Sequence, residues 1–280
     1  MLPPVRSANR SKTACYVAQV RAVLAHKGVI DDPYAFSMLS IGMKAAVATM
    51  ACPPLTRRTN SPFFASLAAR TLFFDQEVAS ALNGGIHQVV IIGAGYDSRA
   101  WRFARPTVRF FEVDHPATQE DKKRRAPGGG PSYVALDLET GSISESLSSA
   151  GFDSTRPVLF VVEGVTMYLD GSEVCGLLAA LADEAAPGSR LAVNFAAPPG
   201  TGAAADRRRQ RVLRLLGRLG GEPHRSSLDA SEARGFVAGA GWQVDRATTL
   251  REIARELLWS TELRIDGINP EASAVAASQS

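Results

Sequence analysis

The most constraining feature of the sequence is an apolar run that stops at two closely spaced glycines. Residues 89–92 are apolar without alternation, as expected of a strand covered on both faces, and Gly93, Ala94 and Gly95 follow directly. Glycines at such a turn lack the Cβ atoms that would keep a ligand away from the backbone. The pattern is typical of a buried parallel strand that presents its backbone to a nucleotide-like ligand, although glycines after an apolar run also mark ordinary tight turns.

A second strand-like run, 108–114, favours the ligand interpretation because it ends in an acid. Asp114 lies about 20 residues after Gly95, the distance at which doubly wound α/β folds place a carboxylate that accepts hydrogen bonds from ribose hydroxyls. Ser98 stands where the dinucleotide fingerprint has its third glycine, so close approach to a pyrophosphate is not specified. The missing glycine favours an adenosine cofactor without a pyrophosphate, such as S-adenosylmethionine, over a nicotinamide dinucleotide.

The order of elements predicts an α/β, Rossmann-like fold with helices ahead of the sheet. Strand patterns alternate with helix-length connections, which implies right-handed crossovers and a mainly parallel sheet. Strands are predicted at 88–92, 108–114, 133–138, 158–163, 190–195 and 242–246, and helices at 11–27, 34–50, 63–82, 203–218 and 231–240. We expect residues 1–85 to form a helical lid and substrate wall, residues 86–268 the cofactor-binding core, and residues 269–280 a frayed, flexible tail.

Composition argues against several other classes of protein. The net charge of +3 and the 21% of charged residues are too weak a basic bias to indicate nucleic-acid binding. No stretch approaches the roughly 18 uninterrupted apolar residues that a membrane span requires. The three cysteines are widely spaced, with neither metal-ligand nor disulfide spacing, so we expect no metal site and a reducing, cytoplasmic location.

Acidic residues end three successive predicted strands, where open α/β sheets bind ligands. Asp114 ends the second strand and would hold the ribose hydroxyls. Asp137 ends the third and would accept from the adenine amino group, with Leu138 as an apolar contact. Glu163 ends the fourth and would receive the α-ammonium of the methionine moiety. Each acid alone could instead cap the following helix, but a cationic sulfonium ligand suits an acidic rim.

A positive partner for the methionine carboxylate is expected at Arg70. This residue lies in the third predicted helix, ahead of the glycine turn, and a guanidinium binds a carboxylate through two parallel hydrogen bonds. The alternative is a structural ion pair between Arg70 and the nearby Asp75 or Glu77.

These residues fall within motifs that other proteins share. The chain resembles the leucine carboxyl methyltransferase family, in particular its bacterial branch of S-adenosylmethionine-dependent methyltransferases, which also includes polyketide O-methyltransferases. The matching segments run in the same order from residue 11 to about residue 242, and they are 11–14, 31–35, 69–71, 74–75, 93–99, 111–114 with 116, 137–138 and 163–169. The resemblance implies a seven-stranded methyltransferase sheet whose cofactor is S-adenosylmethionine. The residues that it implies for binding are Arg70, Gly93, Gly95, Asp114, Asp137, Leu138 and Glu163.

The resemblance weakens at the C-terminus. Enzymes of this family usually finish with a β-hairpin whose last strand is rich in β-branched residues. Residues 257–268 offer only 261–265 as a weak strand. The sequence alone therefore does not predict a complete seventh strand.

The methyl group would go to an oxygen of a small-molecule acceptor. An ionised carboxylate needs no general base, whereas a hydroxyl must be deprotonated. Tyr168, His115 and His224 are the candidates for that role. His115 could instead cap a helix, His224 could be a solvated loop residue, and Tyr168 could be a packed side chain. Arg57 and Arg58, in the loop before the third helix, are candidates for binding an anionic substrate, and Tyr168 is a further candidate for contacting the substrate.

The function predicted from these residues is O-methyl transfer from S-adenosylmethionine to a carboxylate, or a hydroxyl, of a polyketide or another secondary metabolite. Two alternatives stay open. An NAD(P)-dependent oxidoreductase would use the same turn, although the sequence lacks a catalytic Tyr-x-x-x-Lys pattern. A non-catalytic cofactor-binding protein is favoured only by the weak C-terminal strand.

Overall fold

The computed structural model describes residues 11–52, 59–138, 140–198 and 224–279. Within them the strands are β1 (Gln88–Ile92), β2 (Arg109–Asp114), β3 (Ser132–Ala135), β4 (Leu159–Val162), β5 (Arg190–Phe195), β6 (Gln243–Thr249) and β7 (Ser273–Ser278). They form a seven-stranded sheet in the order β3-β2-β1-β4-β5-β7-β6. β1 to β5 pair in parallel, whereas β7 runs antiparallel to both of its neighbours. This mixed sheet confirms the predicted Rossmann-like architecture, and it has the seven strands that the family resemblance implies.

Helices precede the sheet, as predicted, and then alternate with its strands. They are α1 (Lys12–His26), α2 (Ile41–Ala51), α3 (Pro62–Asn83), α4 (Arg99–Arg102), α5 (Pro116–Lys123), α6 (Ile143–Ser149), α7 (Gly171–Asp183), α8 (Ala230–Gly239) and α9 (Leu250–Leu257), with a 3₁₀ turn at Thr166–Tyr168. The prediction starts the second helix too early, because residues 33–38 form turns and α2 begins only after its N-cap, Ser40. The helix predicted at 203–218 lies outside the described residues. None of the helices in the described ranges is long and apolar enough to cross a membrane.

Both faces of the sheet are covered, which explains the uninterrupted apolar run of β1. Val89 and Ile91 belong to a hydrophobic cluster with side chains of α1, α3 and α9, whereas Val90 and Ile92 belong to another with side chains of α6, α7 and α8. Every residue of β1 is buried. Because each face has its own layer of helices, neither face needs the polar half of an alternating pattern. The N-terminal helices α1 and α3 thus share a core with the central strand.

The C-terminal segment overturns two expectations. The predicted frayed tail at 269–280 is wrong, because 273–278 form β7 between β5 and β6. The predicted weak strand at 261–265 is also wrong, since these residues lie in bends and irregular structure. Alternate residues of β7 face the two hydrophobic clusters, and three of the four at 274–277 are alanines. A strand with hydrogen-bonded neighbours on both sides is held by its backbone ladder, so it does not require a β-branched pattern that sequence reasoning can find.

Candidate active site

The glycine turn lies where the carboxyl ends of β1, β2 and β4 meet. Gly93 and Gly95 have φ angles of 62° and 51°, in the left-handed region that favours glycine. A Cβ on Gly93 would lie 2.4 Å from Cγ2 of Val165, and a Cβ on Gly95 would lie 3.1 Å from Cβ of Ala14. The glycines are therefore required by the crowding of the protein itself, from the loop after β4 and from α1, whether or not a ligand approaches.

Asp114 ends β2 beside this turn. One carboxylate oxygen accepts a hydrogen bond from the backbone N–H of Gly95, and the other accepts one from the backbone N–H of the next residue, His115. The turn is tied to the same strand, since the N–H of Ala94 donates to the carbonyl of Val113 at 3.2 Å. Burial raises the pKa of Asp114 above its ordinary value, against the opposing effect of its hydrogen bonds. The backbone orients this carboxylate, and each of its oxygens has a further lone pair to offer a donor such as a ribose hydroxyl.

Arg70 and Glu163 form an ion pair at the carboxyl end of β4. Nε of Arg70 donates to Oε1 of Glu163 at 2.9 Å, and each side chain is 11% exposed. The alternative in which Arg70 pairs with Asp75 or Glu77 is wrong, because those two carboxylates bind other arginines. The helix before the sheet and the loop after β4 thus bring a cation and an anion together beside the glycine turn.

Sequence reasoning missed Arg99, a fully buried side chain at the start of α4. Its Nε donates to Asp75 at 2.7 Å, and its Nη1 donates to Asp97 at 2.5 Å and to Glu163 at 2.7 Å. Burial would raise the pKa of Asp97, but the charge of Arg99 holds it well below its ordinary range. Burial also acts upward on the pKa of Glu163, and the charges of Arg99 and Arg70 outweigh it and lower that pKa. The sequence signal that could have indicated this ion pair is the presence of Arg99 two residues after Asp97, within the glycine motif.

Ser98 joins the N-terminal helices to the glycine turn. Its hydroxyl donates to Asp32 at 2.8 Å and accepts from Arg21 of α1 at 2.7 Å. Arg21 also forms a buried salt bridge with Asp32 and donates to the carbonyl of Tyr96 at 3.3 Å. The position of the missing third glycine is thus a hydroxyl that binds charged side chains of the protein. This part of the turn faces α1.

Asp137 and Leu138 follow β3 at the same edge of the sheet as Asp114. β3 pairs in parallel with β2, and the N–H of Leu136 donates to the carbonyl of Asp114 at 2.9 Å. Both Asp137 and Leu138 are half-buried, and Leu138 packs against the hydrophobic cluster of α6, α7 and α8. An acceptor and an apolar side chain therefore follow one another next to the end of β2.

The acceptor-side candidates have different surroundings. His115 is the N-cap of α5, where its Nδ1 accepts from a backbone N–H of the first turn at 3.3 Å. This contact agrees with the alternative in which His115 caps a helix. Tyr168 and His224 meet edge to face, with ring centroids 5.6 Å apart and an interplanar angle of 84°. Arg57 and Arg58 lie outside the described residues.

Comparison of the sequence with known proteins gives one family. The family described as leucine carboxyl methyltransferase matches residues 14–182. A Mycobacterium bovis (strain BCG / Pasteur 1173P2) protein named "Putative S-adenosyl-L-methionine-dependent methyltransferase" is 32% identical over an alignment of 264 positions, and the alignment covers 87% of this chain and 83% of that protein. A Mycolicibacterium paratuberculosis protein of the same name is 35% identical over an alignment of 196 positions, which covers 64% of this chain and 62% of that protein. This match spans less than two thirds of the length of the M. paratuberculosis relative.

Solved structures share the fold. The crystal structure of a "putative methyltransferase" from Thermobifida fusca has a TM-score of 0.62 at 15% identity, covering 99% of this chain and 97% of the other. A DUF574 family protein from Streptomyces avermitilis has a TM-score of 0.61 at 20% identity, covering 92% and 97%. At these identities the two structures establish the α/β fold. The sequence match over more than half of the chain shows that it belongs to the leucine carboxyl methyltransferase family.

Proposed function

We propose that this protein is an S-adenosylmethionine-dependent O-methyltransferase that acts on a carboxylate, or a hydroxyl, of a small molecule such as a polyketide or another secondary metabolite. The observation that carries the proposal is the ion pair between Arg70 and Glu163 beside the glycine turn. The methionine moiety of the cofactor is a zwitterion, so a neighbouring cation and anion offer a partner for each of its charges. Family membership supports the same cofactor.

Each part of the cofactor has a matching group among the described residues. Arg70 would bind the methionine carboxylate through two parallel hydrogen bonds, and Glu163 would accept from the ammonium. Asp114 would accept from the ribose hydroxyls with oxygens that backbone N–H groups already orient. Asp137 would accept from the adenine amino group, with Leu138 against the ring. The hydrogen-bonding groups of these residues thus fit S-adenosylmethionine.

Methyl transfer depends mainly on how the two reactants are aligned. When bound, S-adenosylmethionine supplies an electrophilic methyl group on its sulfonium. The protein has to align an acceptor oxygen with the S–CH₃ bond and exclude water. We assign this task to residues 1–85 as a lid and substrate wall, with Arg57 and Arg58 as contacts for an anionic acceptor. A carboxylate acceptor needs no base, whereas for a hydroxyl the adjoining rings of Tyr168 and His224 are the candidates to take the proton.

The two alternative functions have less support. A nicotinamide dinucleotide needs a third glycine, and the hydroxyl of Ser98 at that position is buried against Arg21 and Asp32. The non-catalytic alternative rested on the weak C-terminal strand. β7 removes that ground, since the strand is complete and lies between β5 and β6.

A panel of acceptors tests the proposed reaction. The protein would be incubated with S-adenosylmethionine and a set of carboxylic acids, phenols and aliphatic alcohols, and products would be identified by mass spectrometry. We expect a methyl ester or methyl ether from at least one class, and its loss in Asp114→Ala. Methylation of nitrogen or carbon atoms only, or cofactor binding without transfer to any acceptor in a broad panel, would contradict O-methyl transfer.

A further inference from the structure

We infer that Arg99 is a positioning residue for cofactor binding: it anchors one oxygen of Glu163 so that the other oxygen stays aimed at the site of the methionine ammonium. The inference rests on the proposed role of Glu163. It assigns a function to a buried cation that touches neither the acceptor nor the cofactor in the proposed arrangement.

The first argument is how the two oxygens of Glu163 are divided. Oε2 accepts from Nη1 of Arg99 at 2.7 Å, and Oε1 accepts from Nε of Arg70 at 2.9 Å. The side chain of Arg99 is 0% exposed, whereas that of Arg70 is 11% exposed. Arg70 therefore borders the crevice and can turn towards a carboxylate of the cofactor, while Arg99 stays behind Glu163. Oε1 is the oxygen that is released for the ammonium.

The second argument is that Arg99 itself is held on every side. Its Nε donates to Asp75 at 2.7 Å, and its Nη2 donates to the carbonyl of Thr71 at 3.2 Å. Nη1 donates to Asp97 as well as to Glu163, and the guanidinium lies 5.6 Å from the ring centre of Phe74. Apart from the contact with Glu163, these contacts come from α3 and from the glycine turn. A guanidinium with this many fixed partners defines the direction of the carboxylate that it binds.

The third argument is the charge that remains when the cofactor binds. Without Arg99, Arg70 would be the one arginine of the described residues in salt-bridge contact with Glu163, and it would be shared with the incoming carboxylate. A buried carboxylate that loses its partner is costly, and burial alone acts to raise the pKa of Glu163. Arg99 remains paired with Glu163 throughout, so Arg70 can change partners while Glu163 keeps an arginine. The charged groups that face Glu163 from the packed elements are Arg99, Arg70, Asp97 and Arg21.

The test compares two ligands that differ only in the amino-acid end. S-adenosylhomocysteine carries both the ammonium and the carboxylate, whereas 5′-methylthioadenosine carries neither. In Arg99→Met we expect the affinity for S-adenosylhomocysteine to fall at least about tenfold, since a charge-assisted contact loses its support, and the affinity for 5′-methylthioadenosine to change by less than about twofold. Calorimetric titration of both ligands measures the ratio of the two affinities. A merely structural role of Arg99 would weaken both ligands alike and would overturn the inference.

Arg102 provides the matched control. It also binds Asp75, through Nη1 at 2.7 Å and Nη2 at 2.8 Å, and its side chain is 7% exposed, but its contacts do not include Glu163. In Arg102→Met the ratio of the two affinities should equal that of the wild type. An equal fall of the ratio in the Arg102 and Arg99 variants would show a general loosening of the network and would overturn the inference.

Two further variants keep the test decisive if Arg99→Met does not fold. Arg99→Lys keeps the charge but offers a point donor in place of the planar fork, so the ratio should fall about three- to tenfold. In a Glu163→Gln background the same Arg99→Lys change should leave the ratio unaltered, because the contact that it weakens no longer binds a carboxylate. An unchanged ratio in Arg99→Lys, or the same fall in both backgrounds, would overturn the inference. A wild-type protein that does not prefer S-adenosylhomocysteine over 5′-methylthioadenosine would instead contradict the proposed function.

Discussion

Charged side chains at the candidate cofactor site are held by partners from distant parts of the chain. Glu163, after β4, binds Arg70 from α3 and Arg99 from the start of α4. Asp114 differs, because the hydrogen bonds to its carboxylate come from the backbone of Gly95 and His115. A substitution at Asp114 would therefore remove the proposed ribose contact without separating a buried ion pair, and it is the cleaner probe of cofactor binding.

Asp114→Ala should weaken the binding of S-adenosylhomocysteine about 10- to 100-fold. The variant loses charge-assisted hydrogen bonds to the ribose, and each such bond contributes about 1.5–3 kcal/mol to the free energy of binding. Isothermal titration calorimetry measures the change. Glu120→Ala on α5 is the control, since Glu120 pairs with Arg124 on the surface and both side chains are more than 60% exposed. Wild-type affinity in Asp114→Ala would contradict the role given to this carboxylate.

A buried ion pair next to the site predicts a pH-dependent stability. Nζ of Lys122 donates to Glu112, and both side chains are almost completely buried. Burial raises the pKa of Glu112 from its ordinary 4.5 to about 7. Because the folded pKa lies above the unfolded one, the ionised carboxylate costs folding free energy above pH 7. That cost fades as the pH falls from 7 towards 4.5.

Lys122→Met should therefore destabilise the protein by about 3–5 kcal/mol at pH 8, because Glu112 loses the cation that lowers its pKa and must either stay buried as an unpaired anion or take up a proton. At pH 5, below this raised pKa, we expect Glu112 to be mainly protonated in the wild type, so the loss should be clearly smaller. Urea unfolding at the two pH values measures both free energies of unfolding. Lys123→Met is the matched control. The side chain of Lys123, the next residue in the chain, is exposed, so this substitution should change the free energy of unfolding little at either pH. Equal destabilisation by Lys122→Met at both pH values would contradict this interpretation.

At the level of elements, β7 is the strand on which the end of the sheet depends. It pairs with β5 over six residue pairs and with β6 on its other side. Its N-terminal end lies next to Phe195 and its C-terminal end next to Arg190. Losing β7 would separate β6 from the parallel part of the sheet.

Ala276→Pro should destabilise the protein by roughly 3 kcal/mol or more, because proline removes a ladder hydrogen bond from a strand with partners on both sides. Ala276→Gly keeps the N–H and should cost only about 1 kcal/mol. Chemical denaturation followed by circular dichroism gives both values. If the two variants were equally stable, residues 273–278 would not form an interior strand.

Elements with strong local patterns could be predicted, whereas contacts between distant residues could not. β1 and β5 lie at the predicted 88–92 and 190–195, since each contains a run of consecutive apolar residues, 89–92 and 191–193. β7 consists of three alanines, two serines and one valine, and it leaves no such pattern. The role of Arg99 could not be predicted either, because its partners Asp75 and Glu163 lie 24 and 64 positions away along the chain and no local pattern links them to it.

At the level of the whole molecule, the N-terminal helices and the sheet form a shared core. Side chains of α1 and α3 lie in the same hydrophobic cluster as Val89 and Ile91 of β1. α1 also reaches the glycine turn through Arg21 and Ser98, and α3 supplies Arg70 and Asp75 to the charged network. The candidate cofactor site is therefore assembled from the N-terminal helices, the glycine turn and the loop after β4, and it requires all three.

A crystal structure with S-adenosylhomocysteine tests the central claim most directly. We expect the ligand carboxylate on Arg70 and its ammonium on Glu163, with Arg99 still bound to Oε2 of that glutamate. The ribose hydroxyls should bind Asp114, and the adenine should lie beside Asp137 and its neighbour Leu138. A ligand bound away from the glycine turn, or one whose amino-acid end points away from Arg70 and Glu163, would contradict the assignment of this site.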